Sequence, residues 1–356
     1  MDRRTFFKRM LAFGVMAMAT AGGIWKYKLD RKAGRTEPGL ASTDEVGAPG
    51  DGAVAAIGNP NDASGALFSF MILSDLHING GASEQSEKFR HTLDDMLAFE
   101  SKIETIVITG DITESATERD YEEFRRILKR YNLPRMYANM GNHDYYNIWI
   151  SKDGAWSKET MPNGKTDAGS REAFMKQFRL EKPYSEAVVN DYTILLLSQE
   201  AYVQEKPNVG EGAWYSDEQL AWLKDRLARR TDNKPVFVMI HQPLPPSGQD
   251  GGSHTLIRAK EFRSILKPYA NVFVFSGHNH QDFNNGRAHY VKETFHWFQN
   301  SSVGRVMDVR YNPVPDNIAQ GLYVQVFADK VVLRGREYVG RSWIKEAAWT
   351  VPLANR

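Results

Sequence analysis

Five apolar stretches in this chain each stop at a short cluster of carboxylate, amide and imidazole side chains, and this coincidence restricts the fold more than any other feature. Residues 67–73 run into Ser74-Asp75-Leu76-His77, residues 105–109 into Gly110-Asp111-Ile112-Thr113-Glu114, and residues 136–140 into Gly141-Asn142-His143-Asp144. Residues 236–240 stop at His241, and residues 272–275 lead to Gly277-His278-Asn279-His280. Short β-branched or aromatic runs bounded by polar residues read as strands. Ligands gather beyond the carboxyl ends of strands in open α/β sheets, so segments distant in sequence can meet in one pocket. Gly110, Gly141 and Gly277 suit sharp strand exits.

The donor set points to metal. Two aspartates, an asparagine and four histidines suit borderline divalent ions, whereas calcium and magnesium prefer oxygen alone. The chain contains no cysteine, which excludes thiolate zinc sites and iron–sulfur clusters. Seven donors exceed what one tetrahedral ion takes. They suit two ions sharing a carboxylate, spaced roughly 3.5–4 Å apart in two-metal hydrolases.

Single motifs admit other readings. Asp75-Leu76-His77 alone describes a surface turn, His241 alone a satisfied core histidine, and Gly141-Asn142-His143-Asp144 an ordinary turn. Joint occurrence after five strands favours the metal site.

In this order the clusters resemble the signature of the calcineurin-like metallophosphoesterase family: D-x-H, G-D, G-N-H-D/E, H and G-H-x-H. All five elements fall between Asp75 and His280, and the similar stretch extends to about residue 340. The resemblance implies an α/β fold, a four-layer α/β/β/α sandwich of two mixed sheets flanked by helices. It implies that Asp75, His77 and His280 hold one ion, that Asn142, His241 and His278 hold the other, and that Asp111 bridges them. His143 is then a non-ligand that donates a proton or hydrogen bond to the leaving oxygen, with Asp144 orienting it and keeping it protonated. Purple acid phosphatases of the family carry a ligand tyrosine three residues after the bridging aspartate. Glu114 stands there instead, so a manganese, ferrous iron or zinc pair is expected. The wording of the motifs is similar to the branch containing bacterial cyclic-nucleotide and other phosphodiesterases.

The chemistry follows from charge. Two cations acidify a bridging water, bind phosphoryl oxygens and offset charge on the attacking and leaving oxygens. Hydroxide is the expected nucleophile, and no Gly-x-Ser-x-Gly elbow competes with it.

The first residues carry a different message. Arg3-Arg4-Thr5-Phe6-Phe7-Lys8 precedes a moderately apolar run over 10–25, interrupted by Gly14, Gly22 and Gly23, which resembles a twin-arginine export signal over 1–28. Ala19-Thr20-Ala21 suits cleavage, and retention as a membrane anchor is the alternative. The expected partner is the twin-arginine translocation machinery, which carries folded proteins, and the destination is periplasmic, cell-surface or secreted. Residues 29–66 are rich in Gly, Ala, Asp, Pro and Asn without periodicity and read as a flexible tether.

Residues 67–345 then form one large domain and 346–356 a tail. Thr117 opens a helix with Tyr121, Phe124, Leu128 and Tyr131 on one face, and Ser216-Asp217-Glu218-Gln219 is a capping box. Residues 322–327 and 331–336 read as paired strands. A long insert between Asp144 and Tyr192 contains Tyr145, Tyr146, Trp149 and Trp156, and residues 242–255 are rich in Gly, Pro and Ser. Both loops leave ligand strands and are placed to rim the pocket, with Tyr145 and Tyr146 as candidate substrate contacts. The alternative is that these rings pack the insert onto the domain.

Residues 1–66 hold nine basic and seven acidic residues of a chain with net charge +1, leaving the domain at −1 without a basic stripe. That balance suits a small phosphoester and argues against nucleic acid. The sequence therefore predicts an exported dinuclear phosphoesterase, with diesters favoured over monoesters. A non-catalytic metal-binding scaffold or surface-binding protein is the alternative.

Overall fold

The computed structural model describes residues 65–99, 101–230, 232–315 and 317–354. The export signal expected over 1–28, and all but the last two residues of the tether expected over 29–66, lie outside the described residues. Among the described residues no helix is long and apolar enough to cross a membrane.

Two six-stranded mixed sheets lie between helical layers. The first has the order β12-β11-β10-β1-β2-β3, built from β1 (Phe68–Leu73), β2 (Thr105–Thr109), β3 (Met136–Asn139), β10 (Gln320–Val326), β11 (Lys330–Glu337) and β12 (Ser342–Pro352). The second has the order β4-β5-β6-β7-β9-β8, from β4 (Ser185–Val189), β5 (Tyr192–Leu196), β6 (Val236–Met239), β7 (Val272–Ser276), β8 (Tyr290–Lys292) and β9 (His296–Gln299). Strands β1-β2-β3 and β5-β6-β7-β9 are parallel, and the remaining pairings are antiparallel. Central strands buried on both faces need continuous apolar sequence, and β1, β2, β6 and β7 are buried at every position.

One core lies between the sheets, where Phe68, Phe70, Ile72 and Leu322 of the first meet Ile194, Phe237 and Phe273 of the second. Phe70 packs edge-on against Phe237 with ring centroids 4.8 Å apart. The outer layers obey the same burial rule. Helices α1 (Glu84–Leu97) and α2 (Glu118–Leu128) meet through Phe89 and Phe124, while α4 (Asp217–Ala228) and α5 (Ala259–Leu266) bury Leu220, Leu223, Phe262 and Leu266 against β5, β6 and β7. Helix α3 (Asp167–Phe178) lies in the long insert. Thr117 and Ser216 are the N-caps the sequence predicts, each accepting a hydrogen bond from the backbone three residues on.

One expected boundary fails. Residues 346–352, read from the sequence as the start of a tail, belong to β12, and residues 348–352 of it pair with β11 from Lys330↔Pro352 to Arg334↔Ala348. Ala347 and Val351 are buried in the core between the sheets, so this segment is an edge strand whose broken alternation hides it.

Candidate metal centre

Five parallel strands, β1, β2 and β3 of one sheet and β6 and β7 of the other, direct their carboxyl ends to the same place. The chain must turn abruptly there, and it does so with left-handed backbone at Asp75 (φ 54°), His77 (50°), Asp111 (50°), His278 (71°) and His280 (54°). Non-glycine residues pay about 1 kcal/mol or more for such conformations, which persist where their surroundings over-determine them and cluster at functional sites. Of the three glycines expected at strand exits, Gly110 has φ 85°, while Gly141 and Gly277 answer a need for space. A Cβ at Gly141 would collide with the Asp111 carboxylate, and one at Gly277 with the Ser74 hydroxyl.

The turns bring all seven candidate donors together as two groups sharing one carboxylate. In the first, Asp75, His77, Asp111 and His280 have ligand atoms within 4.8 Å of one another. His77 Nε2 and His280 Nε2 face each other at 3.0 Å, and His280 Nε2 lies 3.0 Å from Asp75 Oδ1. In the second, Asp111 joins His241 and His278. His241 Nε2 is 3.1 Å from Asp111 Oδ2, and His278 Nδ1 is 2.9 Å from Asn142 Oδ1. Asp111 Oδ2 faces both groups, being 4.0 Å from His77 Nε2. Its Oδ1 accepts a hydrogen bond from the His143 backbone N–H at 2.8 Å.

Neighbours fix the rings. His241 Nδ1 lies 2.7 Å from the Thr109 carbonyl, which makes Nδ1 a donor and turns Nε2 toward the site. That Nε2 is buried and faces Asp111 Oδ2 at 3.1 Å and Asp75 Oδ1 at 3.9 Å. His77 Nδ1 lies 3.1 Å from Glu114 Oε2, a carboxylate behind the imidazole. The first ligand loop is held from outside by Ser302, whose hydroxyl donates to the Asp75 carbonyl, and by the Gly304 N–H, which donates to the same oxygen.

Electrostatics describe a site built for cations. Burial alone would raise the Asp75 carboxyl, but the His280 and His241 imidazoles outweigh it and hold it at about 2. Burial likewise opposes ionisation of Asp111, and His241 and His143 bring it well below the carboxylate range. Burial, then His143, lowers His77 to about 4. Burial and His241 push His278 well below the usual imidazole value. Two ionised carboxylates in a dry pocket need compensating charge. His77 and His278, held neutral, and the Asn142 amide oxygen are donors without competing protons, and the carboxylates that hold a proton on His241 would bind a cation in its place, so the residues fit a pair of divalent ions.

The accessory residues differ from expectation. Asp144 accepts from the Gly141 N–H at 3.1 Å, the Thr113 N–H at 3.2 Å and the Thr113 hydroxyl at 3.0 Å, so it ties two ligand loops together and does not orient the His143 ring. Its immersion in the protein and the nearby Asp111 raise it to about 7. The His143 ring is held by Glu114, whose carbonyl lies 2.9 Å from Nδ1. Tyr145 is fully buried and donates to the Gln199 carbonyl at 2.7 Å, which removes it from substrate contact. Tyr146 is 5% exposed, its ring 4.1 Å from that of His143. Trp149 is buried in the insert, while Trp156 is 40% exposed and packs edge-on against Tyr146.

Several members of the site carry no sequence signal. Glu211 meets Asn142 and Tyr146 from a turn with no motif, and Arg305 reaches Glu114 Oε2 at 2.6 Å from the loop after β9. Only Glu114, inside the Gly-Asp-Ile-Thr-Glu cluster, was within reach of motif reading.

Comparison with known proteins places this geometry. The model of the calcineurin-like phosphoesterase family matches residues 68–282. The chain is 24% identical over 206 residues to the 3',5'-cyclic adenosine monophosphate phosphodiesterase CpdA of Escherichia coli (strain K12), an alignment covering 56% of this chain and 64% of that protein. It is 24% identical over 182 residues to the probable glycerophosphodiester phosphodiesterase GpdQ of Arcobacter nitrofigilis, covering 51% of this chain and 58% of that one. The chain thus spans less than two thirds of either relative. Among solved structures, a purple acid phosphatase from yellow lupin shares the fold with a TM-score of 0.54 at 11% identity, over 80% of this chain and 53% of that one.

Proposed function

The chain belongs to the calcineurin-like phosphoesterase family, metal-dependent phosphoric ester hydrolases that use two divalent ions, and from that premise we propose that it hydrolyses a small phosphodiester. The observation carrying this reading is the sharing of Asp111 between two donor groups, because a bridging carboxylate has no function in a one-metal site. When bound, the ions supply Lewis acidity and an ionised water for in-line displacement at phosphorus.

The residues do the rest. Asp75, His77 and His280 would hold one ion, and Asn142, His241 and His278 the other. The His143 backbone N–H fixes Asp111 Oδ1, leaving Oδ2 to face both groups. The His143 ring, part-exposed at the pocket edge and anchored through Nδ1 to the Glu114 carbonyl, presents Nε2 to the leaving oxygen as hydrogen-bond or proton donor. A diester is favoured because both relatives are named phosphodiesterases, and the small size follows from the near-neutral domain. The metal pair is manganese, iron or zinc, from the mixed nitrogen and oxygen donors.

Export is a further part of the reading. Its support is the Arg3-Arg4 pair ahead of a weakly apolar segment, and the twin-arginine route would deliver the folded enzyme with its ions, either released or held at the membrane by an uncleaved leader. Fusion of residues 1–66 to a reporter in strains with and without that route tests it, and unchanged delivery without the route rejects it. For the activity, protein loaded separately with manganese, iron and zinc is assayed on bis-p-nitrophenyl phosphate, p-nitrophenyl phosphate, cyclic AMP and a glycerophosphodiester. Faster turnover of diesters is expected. Inactivity on all four with every ion overturns the proposal.

A further inference from the structure

Asn142 is the weakest donor of the seven, a neutral amide that binds an ion only through Oδ1, and an amide can turn over. What fixes it is the partly buried Glu211. Glu211 Oε2 lies 3.0 Å from Asn142 Nδ2, 2.8 Å from the Tyr146 hydroxyl and 3.1 Å from the Tyr202 hydroxyl, and its Oε1 lies 2.9 Å from Tyr202. A carboxylate only accepts. Both phenols therefore donate to Glu211, and the Asn142 atom facing it must be the NH₂. Tyr146, its proton already committed, accepts a second hydrogen bond from Asn142 Nδ2 at 3.1 Å. The amide is thereby locked with Oδ1 toward His278 Nδ1.

The clamp is rigid in its own right. The Glu211 N–H donates to the Ser253 carbonyl at 2.8 Å, and Gln242, the neighbour of His241, donates through Nε2 to the Glu211 carbonyl at 2.9 Å. Burial raises the Tyr146 and Tyr202 phenols well above their usual range, so both stay protonated donors. We propose that Glu211 is a positioning residue that aims the Asn142 amide oxygen into the second half of the metal centre and so sets the occupancy of that half alone. The inference rests on the two-ion reading above.

The test is metal uptake by the full chain, measured by calorimetry and by metal analysis after dialysis with manganese or zinc, on wild type, Glu211→Ala, Glu211→Gln and Tyr146→Phe. Wild type should take two ions. Glu211→Ala should keep one at unchanged affinity and lose about 10- to 100-fold in affinity for the other, the usual effect of removing a group that orients a ligand. Glu211→Gln should recover most of the loss, because its amide oxygen still accepts from Asn142 Nδ2. Tyr146→Phe should produce a smaller loss of the same ion. Two ions at wild-type affinity in Glu211→Ala overturn the proposal, as does equal weakening of both ions without rescue by Gln. Failure of wild type to take two ions overturns the metal-site reading itself.

Discussion

The two halves of the metal centre share Asp111 yet are built on different principles. The Asp75, His77 and His280 half has a carboxylate of its own, every ligand in it is buried, and its support comes from the ligand motifs and the nearby Ser302 loop. The Asn142, His241 and His278 half has a neutral amide where the other has Asp75. Its His278 is less deeply buried, and its support comes from Glu211, Tyr202 and Tyr146, around the long insert. Coulomb attraction at short range in a protein interior is strong, so the carboxylate-bearing half should hold its ion tightly and the amide half should exchange.

The severest way to break this comparison is to remove what the halves share. Asp111→Ala should lose both ions and reduce phosphodiester turnover about a thousandfold or more, since both charge stabilisation and the activated water depend on the pair. Metal analysis and kcat/KM check it together. Retention of either ion at wild-type affinity would mean that the halves are independent sites. His143 belongs to neither half, so His143→Ala should keep both ions while kcat falls about a hundredfold, within the range for loss of a general acid. Loss of metal from that variant would place His143 among the ligands.

The asymmetry itself is read by a matched pair of variants. Asp75→Asn should weaken the tightly held ion and Asn142→Ala the exchangeable one, each by about 10- to 100-fold. In wild type the ion that survives dialysis should be the one lost in Asp75→Asn. If Asn142→Ala removes the dialysis-resistant ion instead, the charge argument has the halves reversed.

The half with its own carboxylate was legible in the sequence and the support of the other half was not, for a physical reason. Candidate ligands such as Asp75, His77, Asp111 and His241 sit within four residues of strand ends, where the strand's periodicity breaks and the polar residues stand out. Glu211 comes from a turn with no periodic pattern, and only folding brings it 69 residues back to Asn142. Asp144 shows the opposite failure. Adjacency to His143 suggested a contact, but the tight turn points its carboxylate at the Gly141 and Thr113 amides. The edge strand β12 escaped because its burial alternates only in part, with a register shift opposite Arg334 and Gly335.

The subtlest difference between the halves concerns protons in the metal-free protein. Burial disfavours a charged His241, but Asp111 at 3.1 Å and Asp75 outweigh it and raise the imidazole to about 9. His77 shifts the other way, to about 4. The folded-state value of His241 lies above the unfolded value of about 6.5, so its ion pair contributes stability fully below pH 6.5 and loses it as pH rises through about 9. The folded-state value of His77 lies below it, so its neutral form favours folding above about pH 6.5 and that advantage disappears as pH falls toward 4. In chelator-treated protein, His241→Asn should therefore melt lower than wild type at pH 6, by about 3 °C, and converge with it near pH 10. His77→Asn should show its largest relative gain at the acid end. Thermal melts across pH 4–10 measure both, and two variants with the same pH profile would show that the halves do not differ in protonation.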